Sequence, residues 1–375
     1  MVRKLLVTGG AGFVGPHLVD ALVRRGYGVR IFDALDPQVH GNGTGAKGYV
    51  HPEAEFMRGD VRDPVAVRRA VEGVDAIFHF AAAVGVGQSM YRLRDYVEVN
   101  TLGAANVLQA VIDGSGRVER MIVASSMAIY GEGGYRCAAC GPVSPSLRDR
   151  AQVRDRQWEL RCPCCAGVVT SSPTAEDKPL APRSAYAITK RDQEEIFLCT
   201  GEAYQVPTIA LRFFNIYGPR QSLSNPYTGA AAIFSSRLLN DRAPLIFEDG
   251  LQTRDFIHVS DIVAAAVLAL EAPANGCEVF NVGTGRPSSI LTLAGLLRES
   301  LGCGPEATIL HKFREGDIRH CYADISRIRE RLGFAPQVPL EDGIGDLVEW
   351  VQAQAEAVDM VDDATRELHE KGLTV

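Results

Sequence analysis

Tyr186 and Lys190 stand four residues apart in Ser184-Ala-Tyr186-Ala-Ile-Thr-Lys190. A helix here puts a phenol and an ammonium one turn apart on one face. An ammonium beside a phenol stabilises the phenolate and lowers the Tyr pKa from its ordinary ~10. A phenol tuned in that way can take a proton from a sugar or alcohol hydroxyl near neutral pH. By itself the spacing also fits an ordinary surface helix, so the elements around it must decide.

The first such element is at the N-terminus. Lys4-Leu-Leu-Val-Thr8 is an apolar run that leads into Gly9-Gly-Ala-Gly12-Phe13-Val14-Gly15 and then into a helical pattern over 16–25. Pro16 suits a first helical turn, where its missing N–H costs nothing. Glycines in a strand–turn–helix context let the backbone approach a pyrophosphate, which the helix N-terminus then attracts. The next strand, from Val29, ends in Asp33; a carboxylate there bonds an adenosine ribose and repels a 2′-phosphate, which favours NAD over NADP. Gly59-Asp60-Val61 follows a short apolar stretch, and Asp60 can serve an adenine amino group or a plain turn. Ala76–Ala83 is a buried strand opening into a small-residue loop that includes Ala81 and Ala82, with His79 as a core histidine. A helix from about Tyr91 carries Asn100. The strand 120–126 ends in Ser125 and Ser126, before Met127-Ala-Ile-Tyr130-Gly. Strands alternating with helices at this spacing predict a doubly wound parallel sheet, whose ligands sit beyond the carboxyl ends of the strands.

The totals narrow the possibilities. The chain has 375 residues, 46% hydrophobic and 23% charged, which suits one large α/β unit or a nucleotide-binding domain with a smaller partner. A formal net charge of -7 offers no general attraction for nucleic acid or an anionic membrane. An anionic ligand must then be held by local Arg groups and helix N-termini. No apolar run approaches the roughly 20 residues that span a bilayer, and Met1–Thr8 has no signal-peptide anatomy. The expected location is cytoplasmic.

With these motifs assembled, the chain resembles the extended short-chain dehydrogenases/reductases of the nucleotide-sugar epimerase and dehydratase group. The matching pieces are Thr8–Gly15, Asp33, Gly59-Asp60, Asn100, Ser125-Ser126-x-x-x-Tyr130-Gly131 and Tyr186-x-x-x-Lys190. They continue with Arg212-Phe-Phe-Asn215-Ile-Tyr-Gly-Pro-Arg220, Gln252-Thr-Arg254-Asp-Phe-Ile-His258 and Arg314-Glu-Gly-Asp317. The match runs in the family's order over roughly residues 1–350. It implies a Rossmann-type NAD-binding domain over 1–218, a mainly nucleotide-sugar-binding domain over 219–350, and a homodimer. The charged tail, 351–375, reads as a solvated terminal helix. The resemblance also implies roles. Tyr186 is the proton-transferring phenol, Lys190 holds the nicotinamide ribose, and Ser126 bonds the reacting sugar oxygen. NAD is held by Gly9, Gly12, Phe13, Val14, Asp33, Asp60, Val61, Ala81, Ala82, Asn100 and Ser125, together with Tyr186 and Lys190. Asn215, Arg254 and Arg314 hold the nucleotide diphosphate, with Arg220 and Arg319 as candidate helpers or plain surface charges.

The long stretch between Tyr130 and Tyr186 departs from the family pattern. Of nine cysteines, five fall between 137 and 165. Two Cys-x-x-Cys knuckles, Cys137/Cys140 and Cys162/Cys165, suit four thiolates converging on one tetrahedral Zn²⁺. Cys164 is then a bystander, with a 162/164 pairing as the alternative. The competing reading is two disulfides or free thiols, which a cytoplasmic redox poise opposes in the disulfide case. A catalytic zinc needs an open coordination position; hydride chemistry on a sugar needs none, so the metal is read as structural. The basic run Ser144–Gln157 lacks an aromatic platform for nucleic acid. The module, over 132–175, is expected to fold out and back at the rim of the sugar pocket.

Members of the resembled family share a first step, in which the phenolate removes a hydroxyl proton while hydride passes to NAD⁺. Dehydratases then use adjacent carboxylates just after the catalytic hydroxyl residue, and decarboxylases of UDP-glucuronate use a Glu there. Met127 and Ala128 occupy those places here, and neither moves a proton. What remains is 4-epimerisation through a 4-keto sugar. A narrower resemblance, to dTDP-L-rhamnose 4-epimerases, rests on Phe32-Asp-x-Leu-Asp-Pro-Gln-Val-His40, the cysteine module and Leu223–Gly229; it implies formation of dTDP-6-deoxy-L-talose. UDP-glucose/UDP-galactose and UDP-glucuronate 4-epimerases are the alternative, and a non-catalytic NAD-sensing scaffold is the alternative of another class. Ala34 and Pro16 depart from residues common in the family and touch cofactor packing.

Overall fold

Apolar runs flanked by turn residues become strands that are covered on both faces, as expected of a parallel sheet. In the computed structural model, which describes residues 3–41, 49–114, 118–273, 276–354 and 359–374, seven of them form one parallel sheet. They are β1 (Lys4–Thr8), β2 (Gly28–Asp33), β3 (Glu55–Arg58), β4 (Ala76–His79), β5 (Arg120–Ser126), β6 (Thr208–Phe213) and β7 (Cys277–Val282). Their spatial order is β7-β6-β5-β4-β1-β2-β3. The direction of winding reverses between β1 and β4, which opens a crevice at the carboxyl ends of these two strands. β7 comes from beyond residue 218, so the chain returns to the first layer after building part of the second.

The two faces of β1 show how the sheet is held. Leu5 and Val7 enter one apolar cluster with Leu18, Leu22, Ile262 and Ala266, carried by the helices Val14–Arg24 and Val259–Glu271. Leu6 enters the other, with Val107, Leu108 and Phe197. Leu6 is fully buried, so Leu6→Ala costs about 2–5 kcal/mol through lost contacts and a cavity. Arg120–Ser126 is buried throughout its length, which delivers Ser125 and Ser126 to the crevice on a rigid strand.

A third cluster, including Tyr217, Ile246, Phe256, Leu293 and Leu347, forms the smaller layer with the helices Ala230–Leu239, Ile290–Leu301 and Leu340–Gln352. The strand Thr253–His258 anchors it, pairing with Asn215–Tyr217, Pro287–Ser289 and His320–Cys321. The cysteine stretch builds its own antiparallel sheet from Gly134–Cys137, Gly141–Val143 and Val169–Ser172. Tyr135, Leu160 and Val169 give it a small core.

The tail corrects an expectation. Val361–Glu370 is a helix as anticipated, but Ala364 and Leu368 are buried rather than solvated. Val361, Ala364, Thr365 and Leu368 form one stripe at i, i+3, i+4 and i+7. Salt bridges tie its start to the smaller layer, with Asp359 and Asp362 each meeting Arg237 and Arg242. Among the described residues, no helix is long and apolar enough to cross a membrane.

Candidate active site

The crevice is a cleft of about 1270 Å³ shared by the two layers. Its floor is the glycine-rich turn, and two positions there require glycine. Gly9 has φ +68°, and a Cβ would lie 2.7 Å from the Ala81 amide nitrogen. A Cβ on Gly15 would come 2.5 Å from the Gly9 carbonyl oxygen. Gly9, Gly12, Phe13 and Val14 all line the cleft.

Asp33 ends β2 facing the same space, and its carboxylate shapes the turn. One oxygen accepts the Ala11 N–H at 2.9 Å and the other the Leu35 N–H at 2.9 Å. Asp60, Val61, Ala81 and Ala82 also line the cleft. Asp60 is engaged by Arg62 at 2.6 Å, which holds its carboxyl below the usual carboxylate range. Asn100 does not line the cleft. It is fully buried, accepting from the Ala83 N–H at 2.7 Å and donating to the Ala83 carbonyl at 3.1 Å and to Thr189 at 3.0 Å. It thereby fixes the loop after β4 from behind. It sits in a π-helical turn, Val97–Leu102, a distortion often found beside functional sites.

Ser126, Tyr186 and Lys190 come together at the carboxyl end of β5. Ser184 caps the helix Ala185–Tyr204 by accepting the Ala187 N–H at 3.1 Å, and that helix presents Tyr186 and Lys190 one turn apart. The Ser126 hydroxyl accepts the Ala128 N–H at 3.1 Å. The Ser125 hydroxyl lines the cleft and is buried without a hydrogen-bond partner, an open position for a ligand. The titration of the pair departs from expectation. Burial pushes the Tyr186 phenol up, and the Ser126 hydroxyl partly offsets it. The Lys190 ammonium donates to the Ala124 carbonyl and to Gln193 Oε1. Burial takes Lys190 down to about 7, against an opposing pull from Glu194.

Gln193 was not among the expected site residues. Its amide continues to His79 Nε2 at 3.2 Å, and His79 Nδ1 reaches Thr8 at 2.9 Å. Burial, with Lys190 nearby, holds His79 down to about 3. The ring is therefore neutral, and the Gln193 donor assigns its proton to Nδ1. The i, i+3 spacing from Lys190 was the available signal.

At the other end of the cleft stand Asn215, Arg254 and Arg314. Asn215 Oδ1 is buried without a hydrogen-bond partner. Arg314 is held by Asp317 through two bonds of 3.0 Å and lies over the Phe247 ring at 5.3 Å. Met127 and Ala128 present apolar side chains beside Ser126. Arg220 lines the cleft while pairing with Asp20 at 2.9 Å. Arg319 is no helper in the cleft: it is buried in a network with Glu159, Glu248 and Asp249. The tail helix supplies a wall that sequence reasoning missed. Val361, Ala364, Thr365 and Leu368 line the cleft, and Glu367 accepts from Tyr91 at 2.8 Å and Tyr227 at 3.1 Å.

The sulfurs of Cys137, Cys140, Cys162 and Cys165 all lie within 4.8 Å of one another. Cys137 and Cys165 are 3.6 Å apart, and four thiolates about 2.3 Å from one zinc stand about 3.8 Å apart. The donor set therefore fits the metal. Cys164 is outside the cluster and donates its N–H to Cys162 Sγ at 3.4 Å. The expected place at the pocket rim is not found, since no residue between 132 and 182 lines the cleft. The module is docked one layer behind it, on the outer side of residues 313–320.

A glycine-rich turn, an acidic β2 terminus and a Ser-Tyr-Lys set at the switch point of a parallel sheet define a dinucleotide-dependent enzyme of the doubly wound α/β class. The chain belongs to the NAD dependent epimerase/dehydratase family, whose model matches residues 5–283. It is 35% identical to a dTDP-L-rhamnose 4-epimerase of Burkholderia thailandensis, over 93% of this chain and 95% of that one. It is 31% identical to a putative UDP-glucose 4-epimerase of Methanocaldococcus jannaschii, over 93% and 98% of the two chains. The UDP-glucuronic acid 4-epimerase of Bacillus cereus, solved with UDP-glucuronic acid and NAD, superposes with a TM-score of 0.77 at 27% identity, covering 94% of this chain and 99% of that one.

Proposed function

We propose that the protein interconverts the C4 epimers of a nucleoside-diphosphate sugar through a transient 4-keto intermediate. The observation that carries this reading is the continuity of one cleft from Ser126, Tyr186 and Lys190 to Arg254 and Arg314, with Met127 and Ala128 in the proton-moving places. Tyr186 exchanges the C4 hydroxyl proton and Ser126 holds the same oxygen. The two guanidinium groups hold the diphosphate, which lets an acidic protein take an anionic substrate. Residues 1–218, completed by β7, serve the cofactor, and 219–350 mainly the sugar nucleotide. NAD, when bound, supplies the hydride acceptor and donor and a positive charge that lowers the phenol's pKa. Gly9, Gly15 and the unpartnered Ser125 hydroxyl fit such a ligand. With no acid or base beside Ser126 to drive elimination or decarboxylation, the keto sugar takes the hydride back.

For the substrate we infer dTDP-L-rhamnose, converted to dTDP-6-deoxy-L-talose. The support is the Burkholderia relative together with the Phe32–His40, cysteine-module and Leu223–Gly229 patterns. UDP-glucose and UDP-glucuronate are the second reading, favoured by the Methanocaldococcus and Bacillus relatives. Product NMR on a panel of dTDP- and UDP-sugars decides between them, and no turnover of any would leave the NAD-sensing scaffold. We assign the four-cysteine cluster to a structural zinc. Exposed Leu93, Val97 and Ile188, on helices that touch, support a homodimer through that face.

A further inference from the structure

Residues 313–319 run between the cleft and the module through a tight turn, closed by the Asp317 N–H onto the Arg314 carbonyl at 3.0 Å, with Gly316 at φ +86°. Arg314, Gly316, Asp317 and Ile318 line the cleft. Phe313, Glu315 and Arg319 meet the four-cysteine module instead. Phe313 is buried against Val153 and Trp158, Glu315 pairs with Arg150 at 2.7 Å, and Arg319 pairs with Glu159 at 2.5 Å. Asp317 serves both sides: its carboxylate holds Arg314, while its carbonyl accepts from Arg148 at 3.4 Å.

Arg148 is the centre of this contact. Its side chain has no exposed surface. It forks onto Glu248 with two bonds of 2.9 Å, donates to the Trp158 carbonyl at 3.0 Å and lies 5.1 Å over the Phe313 ring. A second cleft arginine leans on the same segment. Arg254 donates to the Ile318 carbonyl at 2.7 Å and to the Arg319 carbonyl at 3.1 Å.

We propose that the module is a positioning element for nucleotide-sugar binding. Arg148, with Trp158 and Arg150, clamps 313–319 from the outer side and so sets the guanidinium planes of Arg254 and Arg314. This rests on reading those two arginines as diphosphate ligands. Bidentate recognition of phosphate by guanidinium is directional, so a small shift of the segment weakens both contacts at once. The glycine-rich turn and Tyr186 are set by the parallel sheet and the helix Ala185–Tyr204, so cofactor binding and the chemical step are spared.

The test uses the full chain in its NAD-loaded form, with dTDP and UDP titrated calorimetrically and steady-state kinetics on the sugar it turns over. Arg148→Met is expected to weaken diphosphate binding and raise KM about tenfold, with kcat within about twofold and NAD content unchanged. Removing one partner of a buried ion pair can prevent folding. The solvent-facing Arg150→Ala therefore provides a milder version, with an expected rise of about threefold. Arg314→Ala is the reference: undiminished diphosphate binding there overturns the assignment of the arginines themselves. Weakened binding in Arg314→Ala, with wild-type affinity in Arg150→Ala and Arg148→Met either unaffected or unfolded, overturns the clamp and leaves the site assignment standing. A fall in kcat at unchanged KM in either module variant also overturns it.

Discussion

The Lys190 ammonium, one helical turn past Tyr186, donates to Gln193 Oε1 at 2.6 Å and to the Ala124 carbonyl. Gln193 passes this constraint to His79 and Thr8, so four buried side chains from β1, β4 and one helix share a single chain of polar contacts. Gln193→Leu leaves both the ammonium and a neutral imidazole short of a partner in a dry place. The expected cost is about 1–3 kcal/mol of stability, read by denaturant unfolding, with weaker NAD retention on gel filtration. Wild-type stability would show that the chain of contacts carries no weight.

The depressed Lys190 pKa gives a pH prediction. A lysine that titrates near 7 when folded and near ~10.4 when unfolded gives up its proton on folding between those values. Stability therefore rises with pH across that window, and the penalty of the buried charge is fully present below pH 7. Lys190→Met removes the penalty. The variant should melt above the wild type at pH 6, with the gap closing toward pH 10, while activity is lost. A gap that widened as pH rose would contradict this sign.

The tail should matter for substrate and not for folding. Its helix completes a wall of the cleft, while the three large clusters form without it. Deletion of residues 359–375 is expected to leave NAD bound and the fold cooperative, and to raise KM for the nucleotide sugar about tenfold through lost enclosure. Unchanged KM would mean that the helix closes nothing of consequence.

Metal analysis of protein purified in reductant should find one zinc per chain. Cys137→Ser and Cys140→Ser should lower it well below one, raise protease sensitivity within 132–175 and leave NAD content intact. Retention of full zinc in both variants would exclude the four-thiolate site.

How much of this was legible beforehand follows from what each residue answers to. Gly9, Gly15 and Asp33 could be read because a backbone position or a strand end demands that residue type, and such demands are local. The cysteine knuckles were legible for the same reason, but the choice against Cys164 required the folded turn. The partners of Lys190 depend on where Gln193 and Ala124 arrive, and the rise of the Tyr186 phenol depends on how deeply the fold buries it; both are tertiary matters. The stripe Val361–Leu368 was visible as an amphipathic pattern, yet such a pattern does not name its partner. Arg319 misled because an arginine two residues past Asp317 reads the same whether it faces phosphate or a buried carboxylate network.

The central claim is redox-neutral epimerisation by Tyr186. It is tested most directly with dTDP-L-rhamnose carrying deuterium at C4, followed by NMR. The account predicts conversion to the C4 epimer with the label retained at C4 and no net NADH formed, and a loss of about 10²–10⁴-fold in Tyr186→Phe. Washout of the label into solvent, or undiminished turnover in Tyr186→Phe, would contradict it.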